Sequence, residues 1–113
     1  MVAPSVGSIV LVNFPFSDLS SSKLRPAVVL AGVGRDDWVL CQITSNPYSD
    51  PNAVEITDSD FTRGSLLRTS FARPGKLFSA NTSIMVREAG NLVPAKLDAV
   101  VDGVIALLRP DAS

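Results

Sequence analysis

At 113 residues, with 46% hydrophobic and 19% charged residues, the chain is long enough for one modest core and too apolar to stay disordered. The net charge is −1; one Cys excludes an internal disulfide, the lack of His excludes a nucleophile activated by imidazole, and the two together argue against a zinc site, while a carboxylate-held magnesium site stays open but has no compact acidic motif behind it. The longest apolar runs, Ile9–Val12 and Ala27–Ala31, fall far short of the ~20 residues that cross a bilayer, and Met1–Ser5 opens with neither the basic nor the apolar part of a signal peptide. One cytoplasmic domain, 1–113, is expected.

Ser8–Phe14 reads as a first strand, stopped by Pro15. Phe16–Lys23 is a Ser-rich polar loop. Arg25–Ala31 is a second strand, Gly32–Asp37 a turn region and Trp38–Thr44 a third strand. Neither of the first two strands alternates cleanly with polar residues, which predicts cover on both faces, by a barrel interior on one side and a helix or a partner subunit on the other. Asn46–Asn52 is a loop, Ala53–Ile56 a short strand, and Asp58–Gly64 holds one helical turn. Ser70–Arg73 and Lys76–Ser79 read as short strands joined at the turn dipeptide Pro74-Gly75, and Ile84–Arg87 as another, closed by Gly90.

Pro94–Leu108 is the clear helix. Pro94 suits an early helical position, and Leu97, Val100, Val101, Val104, Ile105 and Leu108 recur at helical spacing as one broad apolar face. Gly103 costs this helix ~1 kcal/mol against Ala. The expected architecture is a small, mostly antiparallel β-barrel or curled sheet carrying one C-terminal helix.

Charge is unevenly spread. Asp36, Asp37, Asp50, Glu55, Asp58 and Asp60 follow one another with no base between them; then Arg63, Arg68, Arg73, Lys76 and Arg87 follow with no acid. Such blocks either neutralise each other across the surface or leave a basic groove for a polyanion. Arg25 sits at the mouth of an apolar strand, where a guanidinium needs an anionic partner: Asp18, Asp36 or Asp37 in one reading, a phosphate in the other. Thr44 and Ser45 end the neighbouring strand with two hydroxyls, suited to satisfying turn backbone or to donating to phosphate oxygens. Ser20, Ser21 and Ser22 add hydroxyls in the preceding loop, and Phe16 and Tyr48 are loop aromatics able to stack on bases or to pack beneath the loops. Cys41 alternates with Val39 and Ile43 and reads as a buried apolar residue.

Gly7–Val12, Phe14–Asp18, Lys23–Leu30 and Gln42–Ser45, in this order, resemble the MazF/PemK family of toxins from type II toxin–antitoxin systems, and Arg73–Phe78 is similar to a later stretch in one branch of it. The resemblance implies an SH3-like β-barrel of the CcdB/MazF type, assembled as a homodimer, that cleaves single-stranded messenger RNA at specific sequences without a metal or other cofactor. It implies Arg25 and Thr44 as the catalytic pair. Phe16, Ser20, Ser21, Ser22, Lys23, Ser45, Tyr48, Arg73 and Lys76 then bind RNA or support its loops. It also implies a cognate antitoxin that occupies the groove and alone contacts DNA. Ser8 stands where the family usually has an acid, and Leu24 where some members have His. A CcdB-like gyrase toxin and a non-enzymatic SH3-like binding module are the rival readings; against the first, the tail Leu108–Ser113 has no aromatic residue.

Overall fold

A computed structural model describes residues 3–15 and 22–111, and for residues 14, 15, 22 and 23 the backbone alone. Seven strands, β1 (Ser8–Pro15), β2 (Ser22–Gly34), β3 (Asp37–Thr44), β4 (Val54–Ile56), β5 (Phe61–Gly64), β6 (Ser70–Asn81) and β7 (Met85–Leu92), precede one helix, α1 (Pro94–Leu108). They form one curled antiparallel sheet in the order β4-β6-β3-β2-β1-β7-β5, with α1 against β6 and β4. No helix among the described residues is long and apolar enough to cross a membrane.

Successive side chains of a strand point to opposite faces, so an unbroken apolar strand feeds two cores. Ile9, Val28, Cys41, Ile43, Ala72 and Leu92 gather on one face with Val100 of α1. Val10, Val12, Ala27, Val29, Leu40, Ala80 and Met85 gather in a second cluster, closed by Trp38 and Phe78. Cover on both faces of β1 and β2 thus comes from within the chain.

The β2–β3 hairpin is tighter than the sequence suggested. Strand β2 runs on through Gly32–Gly34, and the turn contracts to Arg35 and Asp36, both left-handed at φ of 56° and 63°. Such a turn matches the twist of its flanking strands, and two β-bulges in β2, between Gly32 and Gly34 and between Val29 and Ala31, then shift the register toward the site.

The predicted turn at Pro74-Gly75 is absent: β6 is one strand of 12 residues. Ala72 pairs with Ile43 and Leu77 with Cys41, so residues 73–76 bulge opposite Gln42 alone. Both halves pair with β3, so the chain bows instead of turning back. Pro74, fully buried and with no N–H to satisfy, lies against Gly103 of α1, where a Cβ would stand 2.9 Å from its Cγ. Gly103 therefore permits the closest approach of helix to sheet.

Gly90 does not close β7 but lies inside it, paired with Gly64 of β5; a Cβ there would meet the Arg63 carbonyl oxygen at 2.5 Å. The helical turn expected within Asp58–Gly64 is a 3₁₀ turn over Asp58–Asp60, capped by Thr57 and Asp60, after which the chain extends into β5. Helix α1 has the predicted bounds, but its apolar face is only partly covered. Val100 is buried, whereas Ile105 and Leu108 are 47% and 70% exposed where the helix outruns the sheet.

Candidate functional site

Strands β2 and β3 bring Arg25 and Thr44 together. The β2–β3 ladder opens at the Ala27–Gln42 pair, with Arg25 two residues before it on β2 and Thr44 two residues after it on β3. A cavity of about 360 Å³ opens there, within the ordinary range of ligand sites (~300–1,000 Å³). Leu11, Pro26, Ile43, Leu66 and Ala89 give it an apolar floor. Arg25, Arg68 and Arg87 supply three guanidinium groups, and Thr44, Ser45, Ser65 and Ser70 four hydroxyls. No acid, His or Cys lines it among the described residues.

Each arginine comes from a different element. Arg25 lies near the start of β2, paired with Val12. Arg87 lies on β7, paired with Leu11, which also pairs with Pro26, so a single strand separates it from β2. Two strand spacings put their backbones ~10 Å apart. Arg68 belongs to the β5–β6 connection, whose tip, Leu67, is left-handed at φ 66° and 89% exposed. Ser65 shapes this connection: its Oγ donates to Asp58 Oδ1 at 2.6 Å and accepts from the Leu67 N–H at 2.8 Å.

The alternative partners for Arg25 separate cleanly. Asp36 and Asp37 lie at the far end of the hairpin beside Gly34, remote from Arg25. Asp18 lies outside the described residues, as do Phe16, Ser20 and Ser21; Ser22 and Lys23 enter β2, their side chains being outside the description.

Thr44 is only 7% exposed, and its hydroxyl is in use. Oγ1 donates to the Asn46 carbonyl at 3.1 Å and accepts from the Asn46 N–H at 3.2 Å. Its one hydrogen is therefore available to a phosphate oxygen only in exchange for the Asn46 carbonyl. Ser45 beside it is exposed.

Tyr48, Arg73 and Lys76 do not line the cavity; they lie on the loop after β3 and on the β6 bulge. Tyr48 is 66% exposed, and the Arg73 guanidinium lies 5.8 Å from the centre of its ring. Arg73 Nε donates to Asp50 Oδ2 at 2.9 Å. That bond, helped by the Asn52 N–H, holds the Asp50 carboxyl below its ordinary pKa of 3.8. Lys76 is exposed on the bulge. Cys41 is fully buried, and its thiol donates to the Arg73 carbonyl at 3.2 Å. Burial pushes that thiol up to about 12, which leaves it inert as a nucleophile near neutrality.

Arg68 and Arg87 are the site residues that sequence reasoning passed over. Their signal was the base-only stretch from Phe61 to Arg87, but its members have different fates. Arg63 pairs with Glu88 and Arg73 with Asp50, whereas Arg68 and Arg87 face the cavity. The stretch is thus part neutralised surface and part basic groove.

Comparison with known proteins finds the same fold elsewhere. Over 96% of its length the chain superposes on 97% of a MazE–MazF structure from Deinococcus radiodurans, at 19% identity and a TM-score of 0.76. It matches a MazF structure from the same organism over 96% of this chain and 98% of that one, at 20% identity and a TM-score of 0.73. A mycobacterial endoribonuclease solved with its cognate antitoxin is similar over 96% of this chain and 95% of that one, at 15% identity and a TM-score of 0.72. At such identities the likeness is one of fold. No curated protein sequence matches the chain. The family model described as "PemK-like, MazF-like toxin of type II toxin-antitoxin system" matches residues 5–108. By that match over nearly all of its length, the chain belongs to the PemK-like and MazF-like toxins of type II toxin–antitoxin systems.

Proposed function

We propose that this toxin is an endoribonuclease that cuts single-stranded RNA, messenger RNA above all, and so halts translation in the cytoplasm. The observation that carries the reading is the cavity in which Arg25 and Thr44 stand on adjacent strands with Arg68 and Arg87 and, among the described residues, no acid. A hydroxyl-rich, basic cleft over an apolar floor fits a phosphodiester flanked by bases. A relative of the same fold is described as an endoribonuclease bound to its antitoxin. A cognate antitoxin that covers this cleft, and a homodimer as the working form, belong to the same proposal.

In the proposed reaction the RNA 2′-oxygen attacks the adjacent phosphorus and the bond to the 5′-oxygen breaks. The 2′-hydroxyl proton passes to solvent water, and water delivers one to the departing 5′-oxygen. The products are a 2′,3′-cyclic phosphate and a 5′-hydroxyl end. Charge accumulates on the non-bridging oxygens, where the planar fork of Arg25 meets two acceptors at once. Arg25 is assigned charge stabilisation and not base catalysis, because a guanidinium is a donor fork with no acceptor. Thr44 adds one donated hydrogen bond when the phosphate replaces the Asn46 carbonyl. In this mechanism the charge is met by these side chains.

The test is an RNA oligonucleotide carrying the cleaved site, beside the same oligonucleotide with a single 2′-deoxy sugar at that position. The first should be cut to a cyclic-phosphate end and the second bound but left intact. Cleavage of the deoxy substrate would overturn the mechanism.

A further inference from the structure

We propose that Arg73 is a positioning residue that acts on Thr44 through the 46–52 loop. The inference rests on the ribonuclease reading for its consequence, though not for its geometry.

The connection can be followed bond by bond. The bulge of β6 at residues 73–76 carries Arg73 out of the regular ladder, one residue past Ala72, the partner of Ile43. Bulges commonly re-aim a side chain beside a site. Arg73 reaches the loop at two points: Nε on Asp50 Oδ2 at 2.9 Å, and the guanidinium against the Tyr48 ring at 5.8 Å. Asp50 in turn organises the loop, with its N–H donating to the Pro47 carbonyl at 2.9 Å and its Oδ1 accepting from the Asn52 N–H at 2.9 Å. Asn46 Oδ1 accepts from the Tyr48 N–H at 2.9 Å. The Asn46 backbone then holds both sides of the Thr44 hydroxyl.

The loop would not keep this shape by itself. Tyr48 and Ser49 are consecutive non-glycine residues in the left-handed region, at φ of 53° and 60°. Such residues persist only where their surroundings over-determine them. The Arg73–Asp50 ion pair ties the middle of the loop to the sheet, and its side chains are 21% and 12% exposed, so water screens it less than a surface pair. Released from Arg73, the loop relaxes toward unstrained backbone angles, and Asn46 ceases to aim the hydroxyl.

The experiment combines a double-mutant cycle with nuclear magnetic resonance. Single-turnover cleavage of one RNA substrate is measured for the wild type, Arg73→Ala, Thr44→Ala and the double variant, with thermal unfolding confirming that each is folded. Arg73→Ala is expected to lower the maximal rate ~10- to 100-fold, with the half-saturating concentration changed less than ~3-fold. In the Thr44→Ala background it should lower the rate no further. An equal loss in both backgrounds, or a change confined to half-saturation, would overturn the inference, since Arg73 would then act on RNA directly or on the fold at large. Asp50→Asn should reproduce the Arg73→Ala loss, and Arg73→Lys, which keeps the charge, should recover part of it. Independently of activity, the Thr44 methyl and Asn46 amide resonances should move in Arg73→Ala and stay in place in Arg109→Ala, an exposed cation at the end of α1 outside the cavity. Unmoved resonances would refute the coupling even where the wild type cuts RNA. Moved resonances in a protein that cuts none would uphold the coupling and sink the ribonuclease reading alone.

Discussion

Replacing Thr44 by Val keeps the shape of the side chain and deletes one oxygen, so its two consequences can be calculated separately. The oxygen makes two hydrogen bonds to Asn46, at 3.1 Å and 3.2 Å. A net ~0.5–1.5 kcal/mol for each gives ~1–3 kcal/mol. Asn46 is exposed, so water replaces part of what is lost, and ~1–2 kcal/mol remains. For a domain of this size ~1 kcal/mol moves Tm by ~4 °C, so Thr44→Val should melt ~4–8 °C below the wild type. The rate effect is larger: loss of a preorganised donor to a developing oxyanion costs ~10²–10³, and the exchange with the Asn46 carbonyl puts Thr44 at the lower end, ~10². Thr44→Ser retains the hydroxyl and should stay within ~10-fold of the wild-type rate. The assay is single-turnover RNA cleavage at saturating protein, well below every Tm, beside thermal unfolding by circular dichroism. A Thr44→Val rate within ~3-fold of wild type would refute the role given to the hydroxyl. Equal impairment of the Val and Ser variants would refute it too, by tracing the loss to packing.

Other perturbations probe different parts of the account. On an Arg25→Ala background, Arg68→Ala and Arg87→Ala should each weaken RNA binding and each reduce the slope of log K against log salt by ~0.7, the value for removing one cation from one phosphate of a single strand; unchanged slopes would remove both residues from the groove. Gly103→Ala pits ~1 kcal/mol of helix propensity against a Cβ 2.9 Å from the rigid Pro74 ring. Overpacking costs ~1–3 kcal/mol, so urea unfolding should show net destabilisation, and a more stable variant would contradict the close helix–sheet packing. With the thiol raised from 9.0 to about 12 in the fold, the folded state holds the Cys41 proton over a range in which the unfolded chain has released it. Its contribution to stability is intact below pH 9 and is lost as pH climbs toward 12, by up to ~4 kcal/mol. Cys41→Ala should therefore show a shallower alkaline loss of stability than the wild type, and parallel curves would contradict the burial argument.

What could be read from the sequence depended on how local the deciding interactions were. The bounds of α1 follow from Pro94 and from apolar residues spaced at helical intervals, both visible within one stretch of chain. The β6 strand was misread because Pro74-Gly75 is a turn signal locally, while its actual conformation is set by β3, which pairs with both halves, and by Gly103, distant in sequence. Gly90 misled in the same way, since its backbone is needed by the β5 pairing. The exposed end of the helix face was not visible, because periodicity shows that a face is apolar but not how far the sheet extends beneath it. In the site, Arg25 and Thr44 stood out as the ends of adjacent apolar strands. Their alignment depends on the two-residue turn at Arg35-Asp36 and on the two β-bulges in β2 that shift the register after it. Arg68 and Arg87 come from segments that only the closed-up sheet order, β2-β1-β7-β5, brings to the same cavity. The role of Asn46, which occupies both sides of the Thr44 hydroxyl, lies in loop geometry that no spacing rule describes.

The most direct test of the central claim is incubation of a long single-stranded RNA with the purified protein in the presence of EDTA, wild type beside Arg25→Ala. The account predicts discrete fragments, with a common sequence at their ends, from the wild type alone. RNA left intact by the wild type across several transcripts, or cut equally by Arg25→Ala, would contradict it.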